Sequence, residues 1–228
     1  MEERFVVDPV AHIKNSYNEK FGVPRQSGLA PSVKSEIVFC QDYRDENALR
    51  GIEQYSHLWL VWSFSENDGS WSPTVRPPKL GGNKRVGVFA TRSPFRPNHL
   101  GLSCVKLEDV KDTADGKVLV VSGADLVNGT PIYDIKPYLP YVDSIPDALG
   151  GFSEEHKNDC VNVEFTETVK SSLTEEQIKE LSELLSLDPR PSYQNDENRT
   201  YGFCYGNFEV KFRCNGTKIT VTDIEVAE

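Results

Sequence analysis

Apolar and polar residues alternate along most of the first two thirds of this chain in short runs, the signature of half-buried strands. The pattern predicts strands over Phe5–Lys14, Ile37–Cys40, Val86–Ala90, Leu102–Val110, Lys117–Ser122 and Pro131–Ile135. His57–Phe64 (HLWLVWSF) is nearly all apolar and reads as a central strand buried on both faces. The turns fall at Asp115-Gly116 and Asn128-Gly129, and Pro73, Pro77 and Pro78 keep Ser65–Lys84 out of regular structure. Helical spacing occurs once in this region, over Glu46–Tyr55, where Asp45 is the N-cap and Leu49, Ile52 and Tyr55 share a face. Seven or eight short strands and one brief helix predict a mainly β domain, an antiparallel barrel or sandwich.

The pattern changes after Pro146. Residues 147–160 are small, polar and acidic, as a linker would be, and Cys160–Thr168 alternates as a strand. Thr174 and Gln177 form a capping box ahead of Ile178, Leu181, Leu184 and Leu185, and Asp188-Pro189-Arg190-Pro191 stops the helix. Tyr201–Arg213 and Lys218–Val226, joined at Asn215-Gly216, read as a closing hairpin. The expected division is a β-barrel over residues 1–149 and a small α+β domain over 150–228.

Composition leaves that picture unchanged: 38% hydrophobic and 26% charged residues are ordinary for a globular chain. No run approaches the roughly 20 apolar residues of a membrane span, and the acidic start MEERFVVDPV has no export-signal core. Five scattered cysteines and four unpaired histidines give no zinc spacing, so reduced thiols, a cytoplasmic setting and no metal are expected. Charge alters the picture more. The chain carries −10, yet between Gly69 and Leu107 stand seven basic residues (Arg76, Lys79, Lys84, Arg85, Arg92, Arg96, Lys106) and no acidic one. Such a segment in an acidic protein is the footprint of an anionic ligand, either RNA or a phosphorylated small molecule. Trp71, Phe89 and Phe95 lie within it, placed to stack on bases or to join the core.

Familiar cofactor loops are missing: there is neither a G-x-G-x-x-G nor a G-x-x-x-x-G-K-[ST], and no G-x-S-x-G nucleophile elbow. Four other stretches carry candidate chemistry. Gly87–Ser103 presents Arg92 and Arg96 on a loop stiffened by Pro94 and Pro97. Val23–Gln26 sets a cation and an amide beside a proline, Ser122–Leu126 puts Gly123 and Asp125 just after a strand, and Asp134, Lys136, Tyr138 and Tyr141 alternate around prolines.

The runs GVFATRSPFRPNHLGLS, HLWLVWSF and NGTPIYDIKPYLPY, with DPRPSY and YGFCYGNFEVKFR towards the end, resemble the TrmO (YaeB/TsaA-like) family over essentially the whole chain. The resemblance implies an S-adenosylmethionine-dependent tRNA methyltransferase acting on N6 of threonylcarbamoyladenosine at position 37 of threonine tRNA. It further implies a β-barrel methyltransferase domain with a small C-terminal domain, and a homodimer. Carried over by motif, Arg25, Gln26, Ser27, Ser65, Glu66, Arg92, Leu102, Ser122, Gly123, Ala124 and Asp125 would bind the methyl donor. Asp125 and Asp134 would contact adenosine or accept a proton, and Arg76, Lys84, Arg85 and Arg96 would meet tRNA. Ser65 stands where many members have histidine, and His99 replaces a common proline. A non-catalytic RNA-binding barrel is the alternative from another class, separated from an enzyme by whether the protein binds S-adenosylmethionine.

Overall fold

A computed structural model describes residues 6–67, 69–114, 116–190, 196–197 and 199–226. Phe5, Asp115 and the Pro191-Ser192-Tyr193 end of the DPRPSY run lie outside the described residues. The elements are β1 (Ala11–Lys14), β2 (Lys34–Phe39), β3 (His57–Ser63), β4 (Thr74–Val75), β5 (Val86–Gly87), β6 (Leu100–Thr113), β7 (Gly116–Ser122), β8 (Pro131–Pro137), α1 (Pro140–Asp143), β9 (Asn162–Phe165), α2 (Glu167–Ser172), α3 (Glu175–Ser186), β10 (Thr200–Tyr205), β11 (Phe208–Asn215) and β12 (Lys218–Val226). Among them no helix is long and apolar enough to cross a membrane.

Six strands pair antiparallel in the cyclic order β1-β2-β7-β6-β3-β8, with β8 returning to β1, so the sheet is a closed barrel without a free edge. Alternate residues point inward, where Ile13, Ile37, Leu58, Leu60, Leu119, Val121 and Ile132 make the core. β3 departs from the sequence expectation: it is buried on one face only. Leu58, Leu60 and Trp62 are inside, whereas Trp59 and Val61 lie on the outer face and are only partly covered. The expected helix over Glu46–Tyr55 is two 3₁₀ turns, Glu46–Leu49 and Ile52–Gln54. Gly51, at φ +87°, breaks the helical path between them, although Asp45 does cap the first by accepting the Asn47 N–H at 2.8 Å. Val86–Ala90 likewise divides into a two-residue strand and a 3₁₀ turn, and β4 pairs with β5 to make a short hairpin arm out of the proline-rich loop.

A second sheet has the order β10-β11-β12-β9, with β9 parallel to β12; β10, β11 and β12 form a meander where the sequence suggested one hairpin. The capping box on α3 is formed from both sides, Thr174 Oγ1 accepting from Gln177 N and Gln177 Oε1 from Thr174 N. Leu181, Leu184 and Leu185 of α3 bury against Phe203, Phe212 and Val221. This core also takes Tyr17, Ala30 and Val33 from the segment between β1 and β2. Tyr17 bridges to Tyr205, the Gly206 N–H donates to Ser16 O at 2.8 Å, and Glu183 accepts from both the N–H and the hydroxyl of Ser32 (2.8 and 2.6 Å). The β1–β2 connection is therefore packed into the second core, and its middle carries Arg25, Gln26 and Ser27.

Candidate active site

The site forms where that connection crosses the end of β7. The Gly28 N–H donates to the Gly123 carbonyl at 2.8 Å, and the Gly123 N–H reaches Val33 O at 3.4 Å. Both glycines have positive φ, and a Cβ on Gly123 would stand 3.1 Å from Gly28 Cα, so two backbones meet with no room for a side chain. The Cys104 N–H of β6 donates to Ser27 Oγ at 3.2 Å, fixing the connection against the barrel wall.

Asp125 sits two residues past Gly123, largely covered. Its carboxylate accepts the Ser103 hydroxyl, whose oxygen in turn accepts the Trp62 indole N–H at 2.9 Å. Burial pushes the Asp125 pKa up to about 6. The Ser103 hydroxyl, the backbone N–H groups of Asp125 and Ser27, and the positive charge of Arg92 all favour its ionised form and limit the rise. Arg92 is exposed and donates from Nη1 to Gln26 Oε1 at 2.6 Å, which brings the arginine loop to the first loop. Lys20 extends the same junction, donating to the Glu66 carbonyl and lying 3.8 Å from its carboxylate, so the Ser65-Glu66 turn is held there as well. The result is a carboxylate and a guanidinium beside a bare backbone seam. That arrangement can seat a ligand carrying both a cation and an anion.

The loop itself is braced from within. Arg96 donates from Nη1 to the carbonyls of Thr91 (3.1 Å) and Ser93 (3.3 Å), and Asn67 Nδ2 donates to Pro94 O at 2.8 Å. His99 holds φ +49°, a conformation closed to proline, and its carbonyl accepts the Phe64 N–H at 2.9 Å.

The profile of the tRNA-methyltransferase O N-terminal domain matches residues 12–144, and that of the TrmO C-terminal domain residues 158–227. The chain belongs to the tRNA-methyltransferase O family. It is 41% identical to the tRNA (adenine(37)-N6)-methyltransferase of Escherichia coli (strain K12), an alignment covering 97% of this chain and 98% of the relative. It is 40% identical to a putative S-adenosylmethionine-dependent methyltransferase, RcsF, of Pseudomonas aeruginosa, over 90% of each chain. The crystal structure of TrmO from Pseudomonas aeruginosa superposes with a TM-score of 0.77 at 31% identity, covering 98% of this chain and all of the other.

Against that family background the motif residues divide. Gln26, Ser27, Gly123, Asp125 and Arg92 converge at the seam just described. Ala124 is buried in the barrel core. Ser122 donates to Glu108 Oε1 at 2.7 Å, and Leu102 lies exposed on the outer face of β6 opposite Val61. Arg25 donates to the Arg190 carbonyl at 3.1 Å, beside a shallow cleft of about 290 Å³ lined by Phe21, Pro24, Leu184 and Pro189. Asp134 is also on the outer face, paired with Lys136 at 2.8 Å, and the structure does not bring it to Asp125. Arg76, Lys84 and Arg85 are exposed on the β4–β5 arm, Arg85 donating to Thr74 Oγ1 at 2.8 Å. Sequence reasoning passed over Ser103, Trp62, Gly28 and Lys20. Ser103 and Trp62 lie inside motifs that stand out in the sequence, but nothing in a one-dimensional pattern joins an indole on one strand to a serine on the next.

Proposed function

We propose that this protein transfers a methyl group from S-adenosylmethionine to N6 of threonylcarbamoyladenosine at position 37 of threonine tRNA, in the cytoplasm and as a homodimer. The observation that carries this reading is Asp125, a nearly buried carboxylate placed next to Arg92 at the glycine seam of a tRNA-methyltransferase O chain. S-adenosylmethionine, when bound, supplies an electrophilic methyl group on a sulfonium; the protein's part is alignment and charge. Gln26, Ser27, Gly28 and Gly123 would hold the donor through backbone and amide contacts, and Arg92 would take its carboxylate. The acceptor N6 belongs to a urea and is a poor nucleophile, so Asp125 is set to accept the hydrogen of that N–H and raise the electron density on nitrogen. With a pKa of about 6 it is ionised at neutral pH yet basic enough to accept a proton.

Arg76, Lys84 and Arg85 on the β4–β5 arm would meet tRNA phosphates, and the modified base, already in a single-stranded loop, needs little unpairing. The exposed apolar side chains of Leu100, Leu102, Tyr141, Val142 and Ile145, away from that arm in sequence, support a second copy packing on them. Purified protein incubated with S-adenosylmethionine and threonine tRNA carrying the threonylcarbamoyl group tests the proposal. Mass spectrometry of the anticodon-loop nucleosides should show one added methyl group. Failure both to bind the donor and to alkylate the tRNA rejects it.

A further inference from the structure

Trp62 and Ser103 face into the barrel on neighbouring strands and are 5% and 1% exposed. Trp62 is opposite Gly101 in the β3–β6 register, and its ring fills the space a side chain would need: a Cβ on Gly101 would lie 2.3 Å from the indole. Phe64 closes on the ring edge-to-face at 4.4 Å between centroids. The indole therefore has one position and its N–H one direction, towards Ser103 Oγ at 2.9 Å.

A serine oxygen that accepts from an indole keeps its own proton to donate, and that proton is directed at Asp125 Oδ1. An ionised carboxylate only accepts, so the three groups form a consistent chain of donors when Asp125 is charged. Were Asp125 protonated and donating back, the buried Ser103 hydroxyl would lose its acceptor. Satisfying the Trp62 N–H needs only the serine oxygen; the serine's own proton also needs an acceptor, and the one it meets is the site carboxylate.

We propose that Ser103 and Trp62 are positioning residues for methyl transfer, a chain running from the barrel core that fixes the direction of the Asp125 carboxylate and provides a dedicated donor to its charge. This inference rests on the role given to Asp125 above. The other charged or titratable groups facing Asp125 are Arg92 from the arginine loop and Tyr17 from the β1–β2 connection. Arg92 donates to Gln26, and the buried Tyr17 hydroxyl has no hydrogen-bond partner among the described residues. Removing Ser103 thus takes away the only side-chain hydrogen bond described for the carboxylate.

The test follows the Asp125 carboxyl directly, by carbon NMR of protein labelled at aspartate carboxyl carbons, with the resonance assigned through Asp125→Asn. In Ser103→Ala the titration midpoint should rise by about one pH unit, a tenfold change in proton affinity. Ser103→Thr, which keeps the hydroxyl, should titrate like the parent. The double variant Trp62→Phe plus Ser103→Ala leaves no indole N–H unpaired and carries the same expected shift, so a poorly folding Ser103→Ala does not remove the test. An unchanged midpoint in a folded variant lacking the hydroxyl overturns the inference. The acid limb of the methylation rate should move with the midpoint. If the midpoint moves and the limb does not, the chain of hydrogen bonds stands and the catalytic role of Asp125 falls.

Discussion

Gly28 and Gly123 lie far apart in the chain and meet backbone to backbone, the N–H of the first donating to the carbonyl of the second at 2.8 Å. This contact joins the β1–β2 connection to the end of β7 and sets where Ser27 and Asp125 stand relative to each other. Gly123→Ala would put a methyl group 3.1 Å from Gly28 Cα on a backbone at φ +75°. Left-handed backbone alone costs an alanine about 1–2 kcal/mol. The variant should lose at least that much stability in denaturant unfolding. It should also bind S-adenosylmethionine more weakly by calorimetry, because the seam must open to admit the methyl group.

Arg92→Ala removes an exposed guanidinium whose hydrogen-bond partner among the described residues is the Gln26 amide. The core is untouched, so the circular dichroism spectrum should stay native. Loss of a charge-assisted hydrogen bond of about 1.5–3 kcal/mol corresponds to a fall of about 10- to 100-fold in methylation. The positive charge also lowers the Asp125 pKa, so the acid limb of the rate profile should move to higher pH. Near-parental turnover would remove Arg92 from the site.

Asp125→Asn separates stability from activity. Burial holds the folded carboxyl at about 6, above the roughly 4 of an unfolded aspartate. The folded state therefore binds this proton more tightly. The associated stabilisation is fully present below about pH 4 and is lost as pH rises through about 6. Asparagine carries no charge and avoids that loss. The variant should equal the parent near pH 4 and exceed it by up to about 2–3 kcal/mol at pH 7.5, while methylation is abolished. Unfolding curves across this range check it, and a variant less stable than the parent at pH 7.5 would contradict it.

Lys84→Ala combined with Arg85→Ala changes only exposed cations on the β4–β5 arm. If the arm meets tRNA phosphates, affinity should fall and the slope of log K against log salt should become shallower by about 0.7–0.9 for each phosphate no longer neutralised. An unchanged slope in a filter-binding titration would assign both side chains to ordinary solvated surface. S-adenosylmethionine affinity should be unaffected in either case.

Much of this molecule was readable in one dimension. Alternation marked the barrel strands β6, β7 and β8 to within a few residues, and Thr174 with Gln177 marked the start of α3. Errors came where a neighbour decides the outcome. His57–Phe64 looks buried on both sides because an aromatic at an outer position scores like one at an inner position; Trp59 is outside, its N–H donating to Asp143 at 3.1 Å. Glu46–Tyr55 has helical spacing, yet Gly51 in the left-handed region splits it. Arg96, expected to meet tRNA, also braces its own loop through two of that loop's carbonyls, which spacing alone does not reveal.

The sequence by itself determined the strand content, the acid-free basic window and the motifs that mark the family, because each depends on residue type and short-range spacing. Only the tertiary structure decided which residues share a site. It drew Gln26, Arg92 and Asp125 together from three separate loops, left Asp134 on the outer wall with Lys136, and connected Asp125 through Ser103 to Trp62. Register and barrel closure set these long-range meetings. Both arise from many weak pairings acting at once, and no local stretch of chain contains them.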